Sequence, residues 1–314
     1  MSKIIFIEPL GVETNKLKEI LKDVIANNEV IFYDDIPQTK QEIIARSKDA
    51  DILVLAQRVI DKEVIDNCPN LKFINIAFTG YDHVDVDYCK EKAIKVSNCS
   101  GYSAVGVSEL AFGLMLNLFR SINLCHQASK NSKDKSGLIG NELAGKTIGI
   151  VGCGKIGKRV VELALAFNMN VLIYSRHNPQ IENTRFVDKE TLFKESDIVS
   201  LHIPANSETK HFVSENELKL MKQTAILINT ARGAVVDNNA LANALNNGSI
   251  AAAGIDVFDY EPPLKPDYCL LNCKNIILTP HVGFATKEAF IKRAYILLDN
   301  IKAYQNNQQI NKIV

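Results

Sequence analysis

The chain has 314 residues, of which 46% are hydrophobic and 23% charged, and its 36 basic and 36 acidic side chains cancel. That is enough apolar chain for two packed domains, and it leaves no net charge to draw the protein to nucleic acid or to a membrane surface. The seven cysteines are odd in number and scattered, with no C-x-x-C pair, and no histidine completes a set of metal-site spacing with them. Free thiols, no metal and a cytoplasmic location are therefore expected.

Taken in order, the chain opens with "MSKIIFIEPLG", which enters a short strand directly and lacks the longer apolar core of a signal peptide. No later apolar run approaches the roughly 18 residues of a membrane span. The strand candidates "KIIFIE", "EVIFY", "DILVLA", "LKFINIA" and "IKVSN" follow, separated by helical stretches. Turn chemistry in "NCSGYSAVG" near residues 98 to 105 then marks a break. Beyond it, "VGVSELAFGLMLNLFRSI" predicts one apolar helix from Val105 to Ile122, and the polar run that follows reads as a solvated loop over Lys130 to Ser136. Six more strand candidates come next, "KTIGIVG", "NVLIY", "DIVSLHI", "TAILIN", "AAAGIDVF" and "NIILTP", before a last helix in "ATKEAFIKRAYILLDNIKAY". The alternation is that of an α/β protein with parallel sheets covered on both faces. Eleven strands exceed one sheet of ordinary size, so two sheets and two domains are expected.

The run "TIGIVGCGKIGKRVVELALAFNMNVLIYSR" holds G-x-G-x-x-G at Gly152, Gly154 and Gly157, with Lys155 and Ile156 between, directly after a strand and opening a helix. Glycines there permit a tight turn and let backbone approach a pyrophosphate at a helix N-terminus, so a dinucleotide-binding Rossmann unit is expected. Cys153 inside this loop is read as a small space-filler. Ser175 ends the second strand, 175 − 152 = 23 positions on, about where NAD-selective sites place an acid against the ribose 2′-hydroxyl. Serine removes that repulsion, and Arg176, with His177 beside it, offers a cation to a 2′-phosphate. These residue types favour NADP(H), with NAD(H) still possible.

Three later stretches each put a functional residue type after an apolar strand: Arg232 in "LINTARGAVVD", Asp256 and Glu261 in "GIDVFDYEPP", and His281 in "IILTPHVGFAT". Singly, each could be an ordinary loop residue. A cation, an acid and a histidine in such settings downstream of a dinucleotide loop point together to a catalytic constellation.

With the fingerprint at Gly152, "LHIP" at 201 to 204, "INTARGAVVD" at 228 to 237, "GIDVFDYEP" at 254 to 262 and "TPHVGFAT" at 279 to 286, the sequence resembles the D-isomer-specific 2-hydroxyacid dehydrogenases over essentially its whole length. The resemblance implies two Rossmann-like domains with parallel sheets: a substrate domain of residues 1–100 and 283–314, and an inserted dinucleotide-binding domain of residues 101–282. It implies that Arg232 binds the substrate carboxylate and polarises the neighbouring carbonyl, that His281 passes the proton, and that Glu261 holds the imidazole and favours its protonated form. It further assigns Thr79 and Gly80 to the substrate carboxylate, Asp256 to the nicotinamide carboxamide, Val107 to the underside of the ring, His202 and Pro204 to the adenosine side, and Thr209, Thr230 and Gly283 to the cofactor. A two-fold homodimer is implied as well, through the apolar helix and the arm that follows it.

Within the family, "TGYDHVD", "SGYSAVGVSEL" and "HVGFATKEAF" look most like glycerate dehydrogenases, also called hydroxypyruvate or glyoxylate reductases. Ser100 replaces a proline usual in that group, and Phe284 stands at an aromatic position often occupied by a larger ring. Phosphoglycerate dehydrogenase is the alternative, but its pattern would put an arginine where Leu55 and Ala56 stand, and Arg58 lies further along. A dinucleotide-sensing corepressor is an alternative of another class, without the extra binding regions such proteins carry. The expected partner is a small 2-keto or 2-hydroxy acid, with no nucleic acid and no membrane.

Overall fold

The computed structural model describes residues 1–177 and 180–314; Asn178 and Pro179 lie outside the described residues. The chain divides into two compact units, residues 1–102 with 285–314 and residues 103–284. The sequence placed the two crossings at 100/101 and 282/283.

The first unit is built on β1 (Lys3–Phe6), β2 (Glu29–Phe32), β3 (Ile52–Leu55), β4 (Phe73–Ile76) and β5 (Lys95–Asn98), all parallel, in the order β2-β1-β3-β4-β5. The runs "ILVL" and "FINI" of β3 and β4 are buried at every position, as strands covered on both faces must be. Strand order reverses between β1 and β3, so the crevice available to a ligand opens at the carboxyl ends of these strands. The helix Lys287–Gln305 packs on this sheet and starts at Thr286, whose hydroxyl accepts the Ala289 N–H at 3.1 Å.

The second unit is built on β6 (Thr147–Val151), β7 (Asn170–Tyr174), β8 (Thr184–Phe186), β9 (Ile198–Leu201), β10 (Ile226–Asn229), β11 (Ala252–Ile255) and β12 (Ile276–Leu278). All pair in parallel, in the order β12-β11-β10-β9-β6-β7-β8, which reverses between β6 and β9. β8 is the strand the sequence did not announce: three residues, "TRF", at the sheet edge and never fully buried, too short and polar for an alternation signal. Gly149 within β6 is fixed by packing, because a Cβ there would lie 2.3 Å from Ser196 Oγ and 2.6 Å from Leu192. The helix Lys155–Ala166 buries Gly157, Val160, Val161 and Ala164, one stripe at helical spacing. Burying each of its two valines stabilises the unit by about 1.5–3 kcal/mol.

The helix expected from Val105 to Ile122 is in fact two, Ala104–Arg120 and Ile122–Lys130, bent by 57° at Ser121, whose φ of 50° is left-handed. The second helix also takes in Lys130, the first residue of the run read as a solvated loop. Among the described residues no single helix is long and apolar enough to cross a membrane. Most of the apolar surface of Ala104–Arg120 is spent inside its own unit, where Ala111, Phe112, Leu114, Met115 and Phe119 join the core over Ile148, Ile150 and Ile228. Val105, Ile122, Leu124 and Ile139 remain exposed.

Candidate active site

Gly152 leaves β6 at φ 93°, a left-handed conformation in which a Cβ would also sit 2.6 Å from the His202 carbonyl. At Gly157 a Cβ would come within 2.1 Å of the Gly152 carbonyl, so helix and strand could not approach as they do. Gly154 is different: a Cβ there would meet nothing within 4 Å, and the backbone lies open. Gly154 is also the N-cap of Lys155–Ala166, with no side-chain cap and no acid in the first turn. The loop therefore presents an open backbone at Gly154 and the positive end of a helix at the switch point of its sheet, an arrangement suited to a diphosphate.

Across the switch point, β9 delivers His202, whose N–H donates to Val151 O at 2.7 Å and whose Nε2 lies 2.9 Å from Ser200 Oγ. The residue is half-buried, but its Nδ1 is enclosed and has no hydrogen-bond partner among the described residues, and burial pushes the imidazole down to about 4. Thr230 Oγ1, after β10, is likewise enclosed without a partner. The open glycine and these two unmatched polar atoms fit a polar, anionic dinucleotide. Thr209 turns inward: its hydroxyl donates to Pro204 O at 2.6 Å and closes the loop after β9. That loop carries Glu208, whose Oε2 lies 3.5 Å from Arg176 Nη1, both side chains more than 70% exposed. Nothing in the sequence marks this glutamate, a loop acid without periodicity or motif.

Arg232 is set by the turn after β10. Asn229 closes that turn, accepting the Ala231 N–H at 3.0 Å and donating to Arg232 O at 3.0 Å, while Gly233 passes so near Phe258 O that a Cβ would lie 1.9 Å away. His281 follows β12 in a left-handed conformation, φ 54°. Its Nδ1 faces both carboxylate oxygens of Glu261, at 2.9 and 2.8 Å. A carboxylate only accepts, so Nδ1 carries the proton and the ring is held by that edge. Phe284 meets the imidazole edge-on at 5.3 Å.

Asp256, 2% exposed, takes the Thr279 hydroxyl at 2.6 Å and the N–H groups of Val282 and Gly283 at 2.9 Å each. Burial raises its carboxyl above the ordinary range against the restraining effect of these three donors. Val107 lies beside the same segment, 3.4 Å from the position of a Cβ on Gly283.

In the first unit, Thr79 and Gly80 follow β4. Phe78 O accepts from Cys99 N at 2.9 Å and Thr79 O from Asn98 Nδ2 at 2.7 Å. In a trans peptide the N–H points opposite to the carbonyl it is bonded through, so the Thr79 and Gly80 N–H groups face away from these partners. Neither donates a hydrogen bond among the described residues, which makes the pair a ready anion site. Arg58 forms an ion pair with Glu8, Nε to Oε2 at 3.1 Å, and the other Glu8 oxygen holds the N–H groups of Ala56 and Gln57.

Comparison with known proteins agrees with this chemistry. The model of the D-isomer specific 2-hydroxyacid dehydrogenase NAD binding domain matches residues 112–283. A glyoxylate reductase of Thermococcus litoralis is 40% identical over 279 residues, 85% of this chain and 84% of that protein. A hydroxypyruvate reductase of Thermotoga maritima is 38% identical over 286 residues, 90% of this chain and 91% of that protein. Among solved structures, an acyclic imino acid reductase, Bsp5, in complex with NADPH and D-Arg superposes with a TM-score of 0.92 at 33% identity, covering 99% of this chain and all of that one. The chain belongs to the D-isomer-specific 2-hydroxyacid dehydrogenases, oxidoreductases with a nicotinamide-dinucleotide-binding domain.

Proposed function

We propose that the protein interconverts a small, unphosphorylated 2-keto acid and its D-2-hydroxy acid, with hydroxypyruvate or glyoxylate as the keto acid, NADP(H) favoured and NAD(H) accepted. The observation that carries this reading is the His281–Glu261 pair, in which the carboxylate holds the imidazole through Nδ1 and so fixes the ring and its tautomer for acid–base work.

Gly152 to Gly157 hold the diphosphate; Thr230, His202 and Pro204 wall the dinucleotide, and Val107 and Gly283 lie toward its reactive end. When bound, the nicotinamide supplies the hydride that reduces the substrate carbonyl carbon. Arg232 takes the substrate carboxylate in a planar two-point contact and polarises the neighbouring carbonyl. The N–H groups of Thr79 and Gly80 are further carboxylate donors. Protonated His281 gives its Nε2 proton to the carbonyl oxygen during reduction and takes it back from the hydroxyl during oxidation. Glu261 steadies the charged ring in both directions.

The unphosphorylated substrate is favoured by Arg58, which stands beside a buried carboxylate at 3.1 Å and is thereby neutralised as a phosphate ligand. A cytoplasmic enzyme suits the odd set of seven scattered cysteines. The test is a panel of glyoxylate, hydroxypyruvate, pyruvate, longer 2-keto acids and phosphohydroxypyruvate, each with both nicotinamides. Hydroxypyruvate or glyoxylate should give the highest kcat/KM. Preferred turnover of phosphohydroxypyruvate would move the assignment to phosphoglycerate dehydrogenase, and no turnover of any keto acid would favour a dinucleotide-sensing role.

A further inference from the structure

Arg293 lies in the middle of the helix Lys287–Gln305 and is 3% exposed. Its Nη1 donates to Ala77 O, at the end of β4, at 3.0 Å, and its Nη2 donates to Leu10 O, in the segment after β1. The guanidinium stacks over Phe290 at 4.8 Å and Tyr102 at 5.4 Å, and Nε is enclosed without a hydrogen-bond partner. Among the described residues its partners are two carbonyls and two ring faces, and none is a carboxylate. Removing a guanidinium from water costs several kcal/mol, which carbonyls and rings offset only in part. A methionine or leucine would fill the same space without that cost. The cation is therefore held at the carboxyl edge of the sheet with its charge uncancelled.

The place is informative. Ala77 is the first residue of the short run to Gly80 that turns two N–H groups outward. The same helix grips the run a second time: Asn300, seven positions on (300 − 293 = 7) and so on the same face, donates to Asn98 O at 3.0 Å, and Asn98 donates onward to Thr79 O at 2.7 Å. One helix face thus ties down the carbonyls of residues 77 and 79 and sets a fixed positive charge on the Ala77 carbonyl, at the start of the run that carries the amides of 79 and 80.

We infer that Arg293 is a positioning residue for the substrate carboxylate: it fixes the Ala77–Gly80 loop and supplies a buried, uncompensated positive charge that makes the loop select an anion. The inference rests on the proposed keto-acid reading, and it predicts that a neutral replacement weakens carboxylate binding while leaving proton transfer and dinucleotide binding intact.

The test compares wild type, Arg293→Lys and Arg293→Met, each with cofactor bound, by titration with oxamate and with its uncharged analogue oxamide. Kinetics with the best keto acid of the panel and the melting temperature are measured alongside. Wild type should bind oxamate well ahead of oxamide. Arg293→Met should lose about tenfold in oxamate affinity and raise KM to match, with kcat and dinucleotide Kd within about threefold, and Arg293→Lys should recover most of the loss because the charge survives. An Arg293→Met protein that binds oxamate as wild type does would overturn the inference. So would an Arg293→Lys protein of normal melting temperature whose oxamate affinity falls tenfold, and this arm holds even if Arg293→Met does not fold. A wild type that discriminates oxamate from oxamide yet turns over no keto acid would sink the proposed function and leave the role of Arg293 standing.

Discussion

On the proposed function, cofactor choice is set at the end of β7, where the structure adds an opponent that the sequence did not announce. A 2′-phosphate on Arg176 would gain a charge-assisted hydrogen bond worth about 1.5–3 kcal/mol. To make it, Arg176 must leave Glu208, 3.5 Å away, but both side chains are more than 70% exposed and such a pair is worth only about 0–1 kcal/mol. The phosphate would then stand roughly 6–7 Å from the Glu208 carboxylate, where two negative charges against one in a water-like dielectric cost about 1 kcal/mol. The balance is roughly 1 kcal/mol in favour of NADPH, or about fivefold. Glu208→Gln removes both opposing effects and should raise kcat/KM for NADPH by about five- to thirtyfold, with NADH nearly unchanged. Ser175→Asp should shift preference toward NADH by restoring a carboxylate at the ribose. The assay is kcat/KM for both cofactors at one ionic strength with saturating keto acid, since exposed charges are screened by salt. A Glu208→Gln enzyme whose NADPH/NADH ratio stays within twofold of wild type would refute the reasoning, as would a wild type that prefers NADH tenfold.

His281→Gln should bind dinucleotide normally, by fluorescence titration, and lose about 100- to 10,000-fold in turnover, because a placed proton donor is worth that much; near-normal turnover would remove His281 from the mechanism. His202, ordinarily near 6.5 and pushed to about 4 by burial, is protonated in the unfolded chain before the folded one as pH falls. Stability should therefore decline between about pH 6.5 and 4 by up to about 3 kcal/mol, and urea midpoints for His202→Gln should show a flatter profile over that window. Exposed Val105, Ile122, Leu124 and Ile139 support a two-fold homodimer, which sedimentation should detect at micromolar protein and which Leu124→Glu with Ile139→Glu should weaken; a stable wild-type monomer would contradict it.

Much of this was legible in the sequence because the physics is local. A glycine loop, a strand of unbroken apolar residues and a capped helix are each specified within a few positions, so eleven strands and the fingerprint at Gly152 could be read directly. What escaped depended on contacts distant in sequence. β8 exists because β7 offers an edge to pair with. The break at Ser121 interrupts an apolar run that periodicity alone would carry through as a single helix. Glu208 and Glu8 matter through Arg176 and Arg58, 208 − 176 = 32 and 58 − 8 = 50 positions away, and neither separation leaves a periodic trace. Thr209 followed a family pattern to the cofactor, yet in this structure its hydroxyl is committed to the Pro204 carbonyl.

Asp256 shows how a residue assigned by resemblance acquires a physical role of its own. A non-glycine residue at φ 54° costs on the order of 1–3 kcal/mol and persists only where its surroundings over-determine it. His281 is in that position, and Asp256 does much of the holding: Asp256 O shares the His281 N–H with Thr279 O, at 2.9 Å each, and the Asp256 carboxylate gathers Thr279, Val282 and Gly283 on either side. A carboxylate offers about four acceptor sites, so three are occupied by the histidine segment and about one remains. An amide at this position would turn its nitrogen toward at least one N–H donor and leave it unmatched in a buried site. The burial that raises the Asp256 carboxyl is thus compatible with its being an acceptor only while these three donors are present. The strain at His281 and the charge at Asp256 sustain each other, and the imidazole reaches Glu261 from a backbone that neither residue would hold alone.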